Sequence, residues 1–86
     1  MEEVRAEINR AQRKFPGQED TVSLEGWLSI LTEEVGEVAR ELNERLLNPP
    51  DDETAFVKRI RAELVQVGAM AERMAFAAQR QKRVVK

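Results

Sequence analysis

The chain has no cysteine and no histidine. Without cysteine there is no disulfide framework and no thiolate metal site. Without histidine the usual imidazole ligand for zinc is missing, and so is the commonest general base near neutral pH. Any metal must therefore be held by oxygen, which favours magnesium, manganese or calcium. Tyrosine is absent too, and the aromatics reduce to Trp27, Phe15, Phe56 and Phe76. Glycine and proline are few, and no stretch alternates in the manner of a strand, so the composition points to helix throughout. No long apolar run and no signal-like start is present. The reading is therefore neither membrane-spanning nor secreted, with the cytoplasm as the expected location.

What the chain does have is charge of both signs: 14 basic and 16 acidic residues among 86, for a net charge of −2. Such a mixture describes a solvated helical surface rather than a dedicated nucleic-acid binder. The length allows one domain. A lone core of that size yields only about 3–5 kcal/mol, so a metal or a second subunit is the expected supplement.

Three helices follow from the pattern. In residues 1–14, Val4, Ile8 and Ala11 recur at helical spacing, with acids in the first turn. Pro16-Gly17 breaks this helix, and Asp20 or Thr21 is placed to cap the next. A second helix is expected over 22–47, with Leu24, Leu28, Leu31, Val35, Val38, Leu42 and Leu46 as its apolar stripe. Asn48-Pro49-Pro50 ends it, and Asp51 or Asp52 caps a third helix over about 52–80. The stripe of that helix is Phe56, Ile60, Leu64, Val67, Ala71, Met74 and Ala78. Residues 1–80 thus form a single domain, and 81–86 form a basic tail expected to fray. With Arg80 just before it, the tail's Lys82, Arg83 and Lys86 are too few charges to make nucleic acid the leading partner.

The fold class expected is all-α. The two long helices, joined by a short loop, should lie antiparallel beside the shorter N-terminal one. They cannot cover their own apolar faces, so a four-helix-bundle core completed by oligomerisation is expected, as a homodimer or a homotetramer.

The same two helices repeat one polar arrangement. At 100° per residue, Glu34 lies about 80° and Glu37 about 140° to one side of the second helix's stripe. On the third helix, Glu63 and Gln66 fall at about the same two angles. Each pair is spaced by three residues, so its oxygens sit on adjacent turns. A hard divalent cation needs several oxygens from more than one element, and two such pairs on neighbouring helices can supply them. The competing reading is a solvated glutamate face. Glu37 and Glu41 weigh against that reading, since a like-charge pair one turn apart destabilises a helix and a cation would remove the penalty.

The segments SILTEEVGEVARELNE (29–44) and RAELVQVGAMAERMA (61–75), with RKFPGQ and Trp27 upstream, resemble the MazG-like all-alpha nucleoside triphosphate pyrophosphohydrolases. That family carries E-E-x-x-E on one helix and E-x-x-D on the next. Glu33, Glu34 and Glu37 match the first motif and Glu63 the second, while Gln66 stands where the family has aspartate. The resemblance covers roughly 13–75. It implies hydrolysis of a nucleoside triphosphate to a monophosphate and pyrophosphate with Mg2+ or Mn2+. Glu34, Glu37, Glu63 and Gln66 would be the metal positions, and Glu33 would be the residue that orients or activates water. Trp27, Arg59 and Lys14 are the candidate substrate contacts, with core packing the competing role for Trp27 and a salt bridge to Glu63 for Arg59. Because an amide brings no charge to the metal, a weakened relative that binds nucleotides or partner proteins is the alternative. A plain helical oligomerisation module is a third.

Overall fold

The computed structural model describes residues 1–84, with side chains through residue 81. Among the described residues the chain is all-helical: α1 (Glu2–Lys14), α2 (Gln18–Thr21), α3 (Leu24–Leu47) and α4 (Glu53–Val84). None of these helices is long and apolar enough to cross a membrane.

Helix α1 opens on Glu2 and Glu3 and closes on Arg13 and Lys14, the charge order that a helix dipole favours. The breaker Pro16-Gly17 then does more than end a helix. Gly17 adopts a positive φ of 82°, a left-handed conformation that only glycine enters at no steric cost. The turn reverses the chain into α2, a single helical turn where an irregular loop is the sequence expectation. Thr21 Oγ1 donates back to the Gly17 carbonyl at 3.1 Å.

Because Asp20 and Thr21 belong to α2, neither caps α3, contrary to expectation. Ser23 does so instead. Its backbone is extended, and its Oγ accepts from the Gly26 N–H at 3.0 Å, as a side-chain oxygen must to satisfy one of the free amides of a first turn. At the other junction the expected cap is present, with Asp52 Oδ1 accepting from the Ala55 N–H at 3.1 Å. Helix α4 runs past residue 80 to Val84. Its last turns are tied down where Gln81 Nε2 donates to the Val22 carbonyl at 2.9 Å. The remainder of the expected tail, 85–86, lies outside the described residues.

The core is thin. Its buried apolar residues are Ala11, Trp27, Val38, Phe56, Ile60, Ala69 and Ala77, and Trp27 is the large side chain most completely removed from water, at 1% exposure. Helices α1, α2 and α3 all pack on α4. Between α3 and α4, Arg45 meets Glu53, Glu41 meets Arg59 and Trp27 meets Arg73. Helix α1 packs tightly on α4 at Gly68, where an added Cβ would stand 3.3 Å from Val4 Cγ2. Several residues of the expected stripes are not covered by any of these helices: Leu28, Val35, Leu42, Leu46 and Leu64 all stay exposed.

Candidate functional site

Three of the candidate side chains, Trp27, Glu34 and Gln66, line a cavity of about 250 Å³ between α1, α3 and α4. Phe15, Trp27, Ile30 and Met70 give it apolar walls, and Glu34, Gln66 and Arg73 bring polar groups to it. Glu34 and Gln66, one from each long helix, thus reach the same space. Trp27 contributes a buried wall, and its Nε1 has no hydrogen-bond partner. Indole N–H groups usually find a partner when buried.

Arg73 is the residue that sequence reasoning missed. It is only 5% exposed and lies over the Trp27 ring, with its guanidinium carbon 4.8 Å from the ring centroid. Its Nε donates to Glu19 Oε1 and its Nη2 to Gln18 Oε1, both at 2.8 Å. Helix α2 exists, in effect, to deliver these two acceptors. Burial pushes the Glu19 carboxyl up, but the hydrogen bond and charge of Arg73, aided by a backbone donor and Gln12, more than reverse it and hold the group below its usual range. A signal was there to find: Arg73 sits four residues from both Ala69 and Ala77, in the middle of a buried small-residue row.

Further along the α3–α4 groove the acids crowd. Glu41 Oε2 and Glu63 Oε2 are buried, and neither receives a hydrogen bond. Two ionised carboxylates are both acceptors, so neither can satisfy the other without a shared proton. Sharing with Glu41, then burial, then the charges of Glu41 and Glu37 push the Glu63 pKa up, against the pull of Arg59. Glu34 is raised as well, by burial first and then by the charges of Glu37 and Glu33. Like charges in a confined space disfavour the ionised form.

The expected metal positions therefore fall into two neighbourhoods. Glu34 and Gln66 share the cavity, while Glu63 faces Glu41 with Glu37 nearby. Among the described residues no three acids are gathered as a metal-ligand group, so Glu34, Glu37 and Glu63 do not close on a single point as they stand. Glu33 and Glu37 are exposed. Arg59 pairs with Glu41 at 3.5 Å rather than with Glu63, and it lies over the Phe56 ring. Lys14 Nζ stands over the Phe15 ring at 5.4 Å and is not part of the cavity lining. In comparisons with protein-family models, curated proteins and solved structures, the chain matches none.

Proposed function

We propose that this chain is a divalent-cation-dependent hydrolase that cleaves a nucleoside triphosphate to a monophosphate and pyrophosphate, in the manner of the MazG-like enzymes it resembles. The observation that carries the reading is the carboxylate crowding along the α3–α4 groove, which Arg59 offsets only in part. Buried, donor-less oxygens on Glu41 and Glu63, together with raised pKa values at Glu34 and Glu63, are the electrostatic condition that a bound cation removes. The donor set is all oxygen, which suits Mg2+ and admits Mn2+.

The order of contacts supports an antiparallel pairing of the long helices. As the position falls along α3 from Arg45 through Glu41 to Trp27, its partner on α4 rises from Glu53 through Arg59 to Arg73. In such a register Glu34 lies across from Gln66 and Glu37 across from Glu63. Glutamate has three side-chain torsions, so these groups can turn toward a shared ligand without moving either helix.

In this reading Glu34, Glu37, Glu63 and Gln66 hold the cation. When bound, magnesium supplies positive charge to the triphosphate oxygens and lowers the pKa of an attacking water. Glu33, exposed beside Glu34, orients that water and takes its proton. The Phe15–Trp27–Met70 cavity accepts the flat base, with Gln66 and Gln18 offering amides to its edge. Lys14, over the Phe15 ring, and Arg59, paired with Glu41, would be the cations offered to the phosphates. The domain would work as a homodimer or homotetramer, with a four-helix core completed between copies.

The test is pyrophosphate release from a panel of nucleoside triphosphates with magnesium or manganese. Activity that disappears in Glu34→Ala/Glu37→Ala, in a protein that still folds, supports the proposal. Absence of turnover with every nucleotide and either metal would overturn it as an enzyme. Two observations keep a second reading in view: no three acids are gathered, and position 66 carries no charge. Both favour a weakened relative that binds nucleotide without cleaving it. Thermal stabilisation by magnesium with nucleotide, in the absence of turnover, would identify that case.

A further inference from the structure

Among the described residues, two cations line the cavity between α1, α3 and α4: Arg10 and Arg73. Lys14 and Arg59 do not. Arg73 is already committed, since it is 5% exposed and donates to Glu19 and Gln18. Arg10 is placed differently. Its side chain is 54% exposed, and it pairs with Glu7, one turn earlier on the same helix. Arg10 donates through Nε to Glu7 Oε2 at 3.1 Å and through Nη2 to Glu7 Oε1. Both oxygens of one carboxylate thus meet one edge of the guanidinium, in the fork that fits a phosphate equally well.

A pair three residues apart on a helix is ordinarily a solvated contact of little worth. Two observations separate this pair from that case. Glu7 also lines the cavity, and its side chain is only 22% exposed. The hydrogen bond from Arg10 holds the Glu7 carboxyl below its usual range; burial opposes this, and the charges of Arg10 and Arg73 add to it. An ionised carboxylate therefore sits at the cavity in the field of two guanidinium groups. The apolar walls of Phe15, Trp27 and Met70 suit a flat ring but offer an anion nothing. Arg10 does, once Glu7 lets it go.

We propose that Arg10 is the anion subsite of this cavity, the group that receives a phosphate of the incoming nucleotide, and that Glu7 holds its place until then. The assignment rests on the nucleotide reading of the cavity, but it requires neither turnover nor a metal. An arriving phosphate takes over the two N–H donors and can bring more negative charge than the carboxylate it displaces. Glu7 competes with the ligand, whereas Arg10 receives it. The two members of one ion pair therefore act on affinity with opposite signs. A pair that only braced α1 would give the same sign at both positions.

Titrations of the full chain in EDTA test this, followed by calorimetry and by the fluorescence of Trp27, which lines the same cavity. The probes are inorganic pyrophosphate and a panel of nucleoside triphosphates. Arg10→Gln should weaken the binding of both at least tenfold, while circular dichroism keeps its helical signal. Arg10→Lys, which keeps the charge and loses the fork, should fall between. Glu7→Gln should tighten both by threefold or more. Loss of affinity in Glu7→Gln, no change in Arg10→Gln, or no phosphate binding by either wild type or Glu7→Gln would each overturn the assignment. Triphosphates bound no tighter than pyrophosphate would overturn the nucleotide as the source of the phosphate. A chain that shows the opposite signs without cleaving any triphosphate keeps the subsite and loses the hydrolase. A chain that cleaves triphosphate as well with Gln at position 10 keeps the hydrolase and loses the subsite.

Discussion

Arg73 and Glu19 stand 54 residues apart in sequence, yet the Arg73 Nε donates to Glu19 Oε1 at 2.8 Å with both side chains almost wholly removed from water. This pair joins the one-turn helix α2 to the middle of α4 and lays a guanidinium over Trp27. It sets one wall of the candidate cavity, so its loss should be felt both in stability and at the site.

Replacing Arg73 with methionine leaves the Glu19 carboxylate buried without its partner. Breaking a buried pair from one side costs about 3–5 kcal/mol, the same size as the stability expected of a small core. Arg73→Met should therefore be largely unfolded at neutral pH, whereas Arg73→Met/Glu19→Leu should recover most of the loss. Urea melts followed by the fluorescence of Trp27, the chain's one tryptophan, test this directly.

The same pair fixes a pH dependence. The folded-state pKa of Glu19 is lowered. Its stabilising contribution is therefore complete above the carboxylate's unfolded pKa and lost as pH falls through the folded value. Urea midpoints should decline on acidification below about pH 4, and that decline should be shallower in the double variant.

Glu63 should show the opposite sign. Its pKa is raised by Glu41 and by burial. Relative to the unfolded chain, its contribution is most favourable below the unfolded pKa and is lost as pH rises through the folded one. Glu63→Gln should therefore raise the melting temperature at pH 7 by a few degrees, since about 1 kcal/mol moves a domain of this size by about 4–8 °C. It should do little at pH 4. A variant no more stable at pH 7 than the wild type would mean that the two carboxylates do not repel.

The helices were legible in the sequence because their signals are local. The expected second helix over 22–47 is Leu24–Leu47, and the third, over 52–80, begins at Glu53 and extends to Val84. What was not legible depended on neighbours. A period of three and four says that Leu28, Val35 and Leu42 share a side of α3, but not whether anything covers that side. Nor does Pro16-Gly17 reveal that the chain turns straight into another helical turn carrying Gln18 and Glu19. The partner that makes Glu19 intelligible lies on a different helix. The acids were found as a pattern, but their division between the cavity and the Glu41–Glu63 contact depends on the depth at which each helix sits.

Ser23 offers a check on the junction that sequence misplaced. Its Oγ satisfies the Gly26 N–H at the start of α3, four residues ahead of Trp27. Removing such a cap costs about 1 kcal/mol. Ser23→Ala should lower stability by roughly that amount in urea melts, while Thr21→Val, which removes only the hydroxyl bond within α2, should cost less. Equal losses at the two positions would place the cap where the sequence first suggested.

Gln66 is where the proposed activity is most exposed to test. Its side chain lines the same cavity as Glu34, so a carboxylate there would face one already pushed up by burial and by Glu37 and Glu33. Without a cation, Gln66→Asp should therefore destabilise the fold. With magnesium the sign should reverse, because the added negative charge strengthens binding and a ligand at about 100 times its dissociation constant stabilises by about 2.7 kcal/mol. Melting curves of wild type and variant with and without magnesium should cross in order, and pyrophosphate release should rise by tenfold or more in the variant. A variant that loses stability equally in both conditions would show that position 66 never meets a metal, and the acids of α3 and α4 would then be a solvated face with an unusual proton affinity.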